Sequence, residues 1–320
     1  MVISSSNYCR KNDFIGNIKL GLFLATLHLM FIISACSSSP ANETLSPTDT
    51  VGNKLTIVDT ITPSVTTTLQ SNSNYIDPDL PDANPERFGE DFFSGDFHSA
   101  PVFSPDGRTV WWAGEYGSAT IYTSQMVDNI WAEPESVRFS DSISSYRDPF
   151  ISPDGEKFYF ISTAAIPGES SSSKENIWMM EKRGDKWDEP QPLLSVINLF
   201  SLHWTVSVDE DYNLYFSANE DNNTDIFLSN YVDGEYQEPV RLDMPINTAA
   251  IELTPNIAPD GSYLLFTRIQ SRNDNPHLYI SYALESGWSE PARVENVAYC
   301  ISPIVTPDRS YVIYLSSPSS

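Results

Sequence analysis

The chain has 320 residues and a formal net charge of −25 at pH 7, which disfavours nucleic acid and anionic headgroups as partners because like charges repel. Hydrophobic residues make up 40% of it, including 16 Tyr, 16 Phe and 7 Trp, so the apolar volume suffices for a core and excludes a wholly disordered chain. Pro (23) outnumbers Gly (14), and long stretches of helical periodicity are rare. This composition predicts a turn-rich, all-β protein.

Residues 1–35 have the features of an exported leader. Basic residues precede an apolar run over 20–33, which is short for a transmembrane helix. The run ends in Ile33-Ser34-Ala35-Cys36, which resembles the lipobox of bacterial lipoproteins. That resemblance implies cleavage before Cys36, acylation of its sulfur and amino group, and retention on a membrane through the lipid. An ordinary signal peptide, or a membrane anchor with an incidental cysteine, is the alternative.

The remaining cysteines and the next segment fit an exported protein. Cys9 leaves with the leader and Cys36 carries lipid, so Cys300 stands alone and no intramolecular disulfide is expected. Cys300 precedes a predicted strand and is interpreted as a small buried hydrophobic residue. Residues 36–83 are rich in Ser, Thr, Pro and Asn, which predicts a flexible, disordered tether to a folded domain over 84–320.

Two motifs recur with one period from residue 98 onward. Ser-Pro-Asp-Gly and its variants return at intervals of 48, 55, 51 and 48 residues, with aligned aspartates Asp106, Asp154, Asp209, Asp260 and Asp308. Trp/Tyr-x-Glu-Pro returns in phase, with glutamates Glu133, Glu189, Glu238 and Glu290. Two motifs sharing a period indicate duplicated structural units, and periods of this size indicate propellers or solenoids.

Each unit is predicted to contain four strands. The Ser-Pro-Asp-Gly turn joins a first strand to a second that is apolar at every position, such as Phe158-Tyr159-Phe160-Ile161. A strand of that kind needs both faces covered, as in a sheet packed between two others. A third strand follows, and Trp/Tyr-x-Glu-Pro forms the fourth, where proline blunts an exposed edge.

The Ser-Pro-Asp-Gly turn with its aromatic-rich second strand resembles the WD40-like (PD40) repeat of TolB-like β-propellers, over about 98–317. The resemblance implies an all-β propeller of four-stranded blades. Counting repeats gives five blades, and six, usual for TolB-like relatives, is the alternative. We expect 84–94 to supply the outer strand of the last blade. Two copies depart from the pattern: the third lacks Pro-Asp-Gly, and the last has Arg309 for Gly.

Motifs for enzymatic chemistry are missing from the sequence. It has no Gly-x-Ser-x-Gly, no phosphate-binding glycine loop, no His-Glu-x-x-His and no Cys-x-x-Cys. No catalytic residue, cofactor or metal ligand is therefore assigned. The run Asp221–Asp225 alternates oxygen-bearing side chains and predicts at most a weak calcium site. A solvated loop is the preferred interpretation, because neither a glycine nor a closing glutamate stands at EF-hand spacing.

Propeller geometry puts the loops before the first strands, and those between second and third strands, on one face around the axis. That face is the default ligand site by analogy. The predicted ligand-binding residues are His98, Tyr116, Tyr146, Arg147, His203, Trp204, Glu220, Glu252 and Arg268. Histidine, arginine, glutamate and aromatic side chains suit a polar ligand, although a satisfied, water-filled channel is an equal alternative.

These features together predict a lipid-anchored, extracytoplasmic propeller at a bacterial cell envelope, in the outer membrane or periplasm if the host is Gram-negative. We expect a monomer that binds an envelope protein or glycan without catalysis. The alternative is a polysaccharide lyase, or a glycoside or peptide hydrolase, using His98, Arg147, His203 and Glu252. In a lyase a His/Arg pair would abstract a proton and hold a uronate carboxylate.

Overall fold

A computed structural model describes residues 2–4, 31–35, 85 and 97–316, except 115–119, 129, 169–173, 201–202, 221–222, 272 and 310. Of residues 2–4, 31–35 and 203 it describes the backbone alone. The predicted tether over 36–83, the lipidation site Cys36 and nearly all of the predicted closing segment 84–94 lie outside the described residues.

All of the regular secondary structure in the described part of the chain is β-strand. The N-terminal strands are β1 (Val2–Ser4) and β2 (Phe31–Ala35). The first repeat forms β3 (Val102–Phe103), β4 (Thr109–Gly114), β5 (Thr120–Val127), β6 (Ile130–Trp131) and β7 (Glu135–Val137). The second forms β8 (Arg147–Ile151), β9 (Lys157–Ser162), β10 (Asn176–Arg183), β11 (Lys186–Trp187) and β12 (Gln191–Pro192).

The later repeats follow the same plan. The third forms β13 (His203–Val208), β14 (Leu214–Glu220), β15 (Asn223–Ser229), β16 (Tyr231–Val232), β17 (Glu235–Tyr236) and β18 (Val240–Arg241). The fourth forms β19 (Ile251–Ile257), β20 (Tyr263–Ile269), β21 (His277–Tyr282) and β22 (Ala292–Arg293), and the last forms β23 (Ile301–Val305) and β24 (Tyr311–Ser316).

Each of the first four repeats forms one antiparallel blade, in which the first three strands are hydrogen-bonded in chain order and the outer strand segments pair with the third strand. In the third repeat, β16 and β17 form a separate two-stranded sheet. The predicted fourth strand is divided at its proline, because Pro134 separates β6 from β7 and Pro190 separates β11 from β12. The fifth sheet has the order β23, β24, β2, β1, with β1 also paired to β24. Residues 97–293 thus supply four complete blades, and the count of five stays a prediction.

The blades are arranged as a propeller. The inner strands pack against one another in sequence, from β3 to β8, β13, β19 and β23. One hydrophobic cluster joins Phe97 and Trp112 of the first blade to Ile313 and Leu315 of the last sheet, so the two ends of the ring meet. Every residue of the second strand β9 is buried, as the apolar run Phe158-Tyr159-Phe160-Ile161 at its centre predicts. The all-β propeller prediction is therefore confirmed.

The repeated Ser-Pro-Asp-Gly motif forms a hydrogen-bonded turn. Ser104 Oγ donates to Asp106 Oδ1 at 2.5 Å, and the same carboxylate accepts the Arg108 N–H at 3.0 Å. The Thr109 N–H donates in turn to Ser104 Oγ at 2.9 Å. Gly107 has φ +67°, a conformation that glycine adopts without steric cost. The motif therefore forms the turn between the first and second strands of each blade.

The third copy aligns differently from the sequence prediction. The Tyr212 N–H donates to the Asp209 carbonyl at 3.0 Å, as the Gly107 N–H donates to the Ser104 carbonyl at 2.8 Å. Asp209 therefore takes the backbone position of the serine, while its carboxylate accepts the Asp211 N–H at 3.1 Å, as that of Asp106 accepts the Arg108 N–H. Tyr212 takes the glycine position, with φ +64°. In the last copy Arg309 does so, with φ +59°.

A third repeated element was not predicted. The Asn198 side chain accepts the Ile177 N–H at 2.8 Å and donates to the carbonyls of Ile177 and Leu193 at 3.1 and 3.0 Å. Asn247 makes the same three bonds one blade later, at 2.8, 2.8 and 2.7 Å. Each amide fastens the connector that leaves a blade to the third strand of that blade.

Candidate functional site

The seam between the first and second blades holds a histidine–aspartate pair. His98 lies just before the first blade, and its Nδ1 is 2.7 Å from Oδ1 of Asp148 on β8. Asp148 is 3% exposed. Burial lowers the pKa of His98, but the nearby Asp148 carboxylate outweighs burial, and the pKa is raised above its ordinary value.

An arginine–glutamate pair lies beside it. Arg147 Nη1 donates to Glu175 Oε1 at 3.1 Å, and the two side chains are 23% and 17% exposed. Burial raises the pKa of Glu175, although the positive charges of His98 and Arg147 oppose this. We call His98, Arg147, Asp148 and Glu175 the axial cluster. Arg147 begins a first strand, and Glu175 immediately precedes a third strand. Their contact places the loops before first strands and the loops between second and third strands on one face, as propeller geometry predicts.

A backbone irregularity positions Asp148. The pairing of β8 with β9 shifts register between Arg147 and Phe150, and Asp148 has φ +45°. Such a bulge bends the strand and re-aims its side chains. The next three inner strands have the same shift, with positive φ at Thr205, Thr254 and Ser302. Asp148 is the charged member of this series, and the bulge brings its carboxylate to His98.

A second ion pair lies in the fourth blade. Arg268 Nε donates to Glu252 Oε1 at 2.8 Å, with the side chains 8% and 0% exposed. Arg268 also donates to the carbonyls of Pro245 and Ile246 at 3.0 and 2.9 Å, and Thr248 Oγ1 donates to Glu252 at 2.7 Å. Burial raises the pKa of Glu252, while the bonds from Thr248 and the charge of Arg268 lower it. These bonds fasten the connector between β18 and β19 to the fourth blade.

A third pair was missed by the sequence analysis. Arg241 donates to both carboxylate oxygens of Asp225, at 2.8 and 3.0 Å. This two-point geometry is a strong form of ion pair. Asp225 belongs to the predicted calcium run, and its carboxylate is occupied by Arg241, while Asp221 and Asn222 lie outside the described residues. No group of three or more possible metal-binding side chains occurs in the part of the chain that the structure describes.

The structure brings together some of the predicted ligand-binding residues. His98 and Arg147 meet in the axial cluster, whereas Glu252 and Arg268 pair in a different blade. Tyr146 is 3% exposed and its hydroxyl donates to the Ser140 carbonyl at 3.0 Å, so its ring belongs to the core. The rest are as follows: Trp204 is partly buried on β13, Glu220 is exposed at the end of β14, His203 is described by its backbone, and Tyr116 lies outside the described residues.

Asp148 and Glu175 were not predicted. Asp148 stands where other copies of the repeat have Ala100, Thr254 or Ser302, so a departure from the repeat could have identified it. Glu175 follows a serine-rich stretch of sequence that carries no motif. Cys300 is buried, as predicted, and burial raises its pKa well above the ordinary range. Within the described ranges, no helix is long and apolar enough to cross a membrane.

No protein-family model matches this chain, and no curated protein matches it. Among solved structures it is similar to a putative TolB from Agrobacterium tumefaciens, with 18% identity, a TM-score of 0.49 and 68% of each chain covered. It is also similar to TolB from Acinetobacter baumannii, with 14% identity, a TM-score of 0.46, and 73% of this chain and 57% of that chain covered.

A third similarity is to a puromycin-hydrolyzing peptidase from Mycobacterium tuberculosis, with 17% identity, a TM-score of 0.39, and 63% of this chain and 30% of that chain covered. Similarities this distant concern the fold alone. The arrangement of the chain's own sheets establishes the fold: it is an all-β propeller, and TolB-like propellers are among its structural neighbours.

Proposed function

We propose that this protein is a non-catalytic binding module, a PD40-type, TolB-like propeller held on the extracytoplasmic side of a bacterial envelope by lipid on Cys36. Its axial face, the one with the axial cluster, recognises an envelope protein, with a glycan as the other partner class. One observation carries the proposal: side chains from separate blades and loops meet on this face, and His98, Arg147 and Glu175 keep exposed fractions of 14%, 23% and 17%.

The pairing of charges favours binding over catalysis. General acid–base catalysis needs a group within reach of a substrate proton, with a suitable pKa. Glu252 and Arg268, in contrast, are bonded to each other and to surrounding backbone. Glu252 is completely buried, so it is poorly placed to meet a substrate. Exposed edges of ion pairs, on the other hand, are ordinary features of a polar binding surface.

A hydrolase or lyase is the second candidate, and the His98–Asp148 contact of 2.7 Å supports it. A buried carboxylate that orients an imidazole is the usual arrangement for a general base. Uronate-containing polysaccharides and peptides should be assayed with the unaltered chain and with His98→Gln. Turnover that His98→Gln abolishes would favour the enzyme over the binding module.

The binding function is tested by capture from an envelope extract. The protein, anchored through Cys36, serves as bait, and a glycan array is run in parallel. Arg147→Gln changes the axial face, whereas Lys186→Gln changes an exposed residue of β11, which follows the opposite end of β10, and is the matched control. We expect Arg147→Gln to reduce capture about tenfold, the loss of one charge-assisted contact. Equal capture by both variants would contradict the proposal.

A further inference from the structure

Two connectors on the axial face expose aliphatic side chains. The connector from β12 to β13 and the connector from β18 to β19 each lead into a first strand, so both lie on the axial face. Leu194 and Leu199 of the earlier connector are 49% and 71% exposed, and Met244 of the later connector is 79% exposed. We call Leu194, Leu199 and Met244 the connector patch. A partner that covered these side chains would gain the free energy of removing them from water.

The backbone that carries the connector patch is held by hydrogen bonds. The Leu194 carbonyl accepts the N–H groups of Ile197 and Asn198 at 2.9 and 3.2 Å. Leu199 directly follows Asn198, whose side-chain amide is bonded to the third strand of the blade. The later connector repeats this arrangement next to Met244. Binding to a backbone that is already ordered costs less conformational entropy than binding to a mobile loop.

The fold does not require aliphatic residues at these positions. The connectors align on Asn198 and Asn247, because these side chains make the same bonds. Each member of the connector patch then has a polar counterpart in the other connector, in the pairs Leu194 with Asp243, Leu199 with Thr248 and Met244 with Ser195. Polar side chains therefore suit the same backbone, and the exposed aliphatic ones are departures from the repeat that point to a partner.

The chemistry of the exposed residues distinguishes a protein partner from a glycan. All of the large hydrophobic residues that are exposed in the described part of the chain are aliphatic. Aliphatic side chains suit the apolar centre of a protein interface, whereas they give the hydroxyl groups of a sugar no hydrogen-bond partner. The formal net charge of −25 favours basic residues around that apolar centre, because complementary charge steers association.

We propose that the connector patch binds a basic, amphipathic segment of a protein partner, whose aliphatic side chains pack on those of the patch. This inference rests on the proposed function, because it takes the axial face as the binding face, and it names the chemistry of the partner. Lys174, which precedes Glu175 of the axial cluster, donates to the carbonyl of Asn198, and Asn198 directly precedes Leu199. The connector patch therefore begins beside the axial cluster, so that one partner contacts both.

A designed peptide tests this chemistry. The probe is a helical peptide of leucine and lysine, about 14 residues long with the leucines on one face, and it is titrated into the unaltered protein. Control peptides carry serine in place of leucine, or glutamate in place of lysine, and we expect binding by the probe alone. The Met244 methyl resonance should shift during the titration, whereas the resonance of Met126, at the opposite end of the first blade beside Val127, should not.

The test variant exchanges each residue of the patch for its counterpart in the other connector. Leu194→Asp, Leu199→Thr and Met244→Ser are combined, and affinity for the probe should fall about tenfold. Leu194→Asp adds a negative charge that by itself attracts the basic probe, so the loss reports the apolar contact. Val127→Ser with Ile130→Ser is the matched control, because these side chains are 59% and 69% exposed on the opposite face, and it should keep the affinity. Equal losses in the two variants, or no loss in the first, would overturn the inference.

The capture experiment separates this inference from the proposed function. A protein whose capture is reduced by Arg147→Gln but not by the combined connector variant would leave the binding function standing and overturn the connector patch. A glycan captured through the axial face would overturn the partner class named here. If binding of the probe depends on the connector patch but no capture depends on Arg147, the axial cluster fails as the binding site and the connector patch is retained.

Discussion

Arg309 Nη1 donates to Asp260 Oδ2 at 2.9 Å, and so joins the turn of the last repeat to the turn of the fourth. Tyr212 joins the turns of the second and third blades in the same way, because its hydroxyl donates to the Asp154 carboxylate. Both residues replace the motif glycine and keep its positive φ. The two departures from the repeat are therefore ties between neighbouring blades, gained at the steric cost of a left-handed conformation.

The Tyr212 tie should contribute more to stability than the Arg309 tie. Tyr212→Phe removes the bond to Asp154 but keeps the ring, whose centroid lies 5.0 Å from the Lys157 ammonium. We expect a loss of about 1 kcal/mol in the free energy of unfolding. Arg309→Gly removes an exposed ion pair and relieves the backbone, so we expect a change below about 0.5 kcal/mol. Denaturant unfolding measures both, and a larger loss for Arg309→Gly would contradict this ranking.

Breaking the Glu252–Arg268 pair should be strongly destabilising. Arg268→Met leaves a fully buried carboxylate without its cation, and we expect a loss of about 3–5 kcal/mol. Combining Arg268→Met with Glu252→Gln should recover part of that loss, because the charge is then removed as well. A double-mutant cycle of unfolding free energies provides the measurement. Additive losses would show that the two side chains act independently.

Stability should depend on the protonation of His98. Its pKa is raised in the folded protein, so the folded state holds the proton more tightly than the unfolded chain. The contribution is fully present below the ordinary pKa of about 6.5 and is lost as pH rises through the higher folded value. Thermal unfolding across this range should show a decline that His98→Gln flattens. An identical pH profile for the variant would refute it.

Removing the Asn198 side chain, which fastens the outgoing connector to β10, should destabilise the second blade. Asn198→Ala leaves the Ile177 N–H and the Ile177 and Leu193 carbonyls without their side-chain partner, in a buried setting. The Ile177 carbonyl keeps its bond from the Leu193 N–H at 2.9 Å, but the other two groups become unsatisfied, and we expect a loss of about 2–4 kcal/mol because such buried groups keep their full desolvation cost. Asn198→Asp keeps the size and the acceptor for the Ile177 N–H but cannot donate to the two carbonyls, so it should be destabilised as well. Hydrogen exchange at Ile177 would locate the damage, and unchanged protection there would contradict the assignment.

Replacing the predicted lipidation site tests the anchor directly. Cys36→Ser removes the acylated sulfur, and a membrane-bound protein should move to the soluble fraction, because stable anchoring needs more than one acyl chain. Fractionation of cells followed by immunoblotting measures the distribution. Lipid anchoring would be ruled out by a variant that remains with the membrane as fully as the parent chain does.

The fold could be predicted because it is periodic. The Ser-Pro-Asp-Gly turn and the apolar second strands encode local geometry, and five copies make the pattern unmistakable. The axial face followed from topology, so the sequence could place His98 and Arg147 on it, and their role as ligand-binding residues stays a prediction. Asp148 depends on a backbone bulge, and Glu175 depends on which loop folds inward. Neither has a local signature, because both are set by tertiary contacts that no short segment specifies.

Asn198 and Asn247 affect how much the outer edges of their blades contribute to stability. Each side-chain amide substitutes for a strand residue that would otherwise complete the ladder, and the outer strands β12 and β18 in these blades are two residues long. The outer strands of these two blades therefore contribute little to the stability of the fold. Insertions at the exposed turn between β10 and β11 should be tolerated more readily than single changes at the hub, which makes that turn the natural place to attach a label or a fused domain.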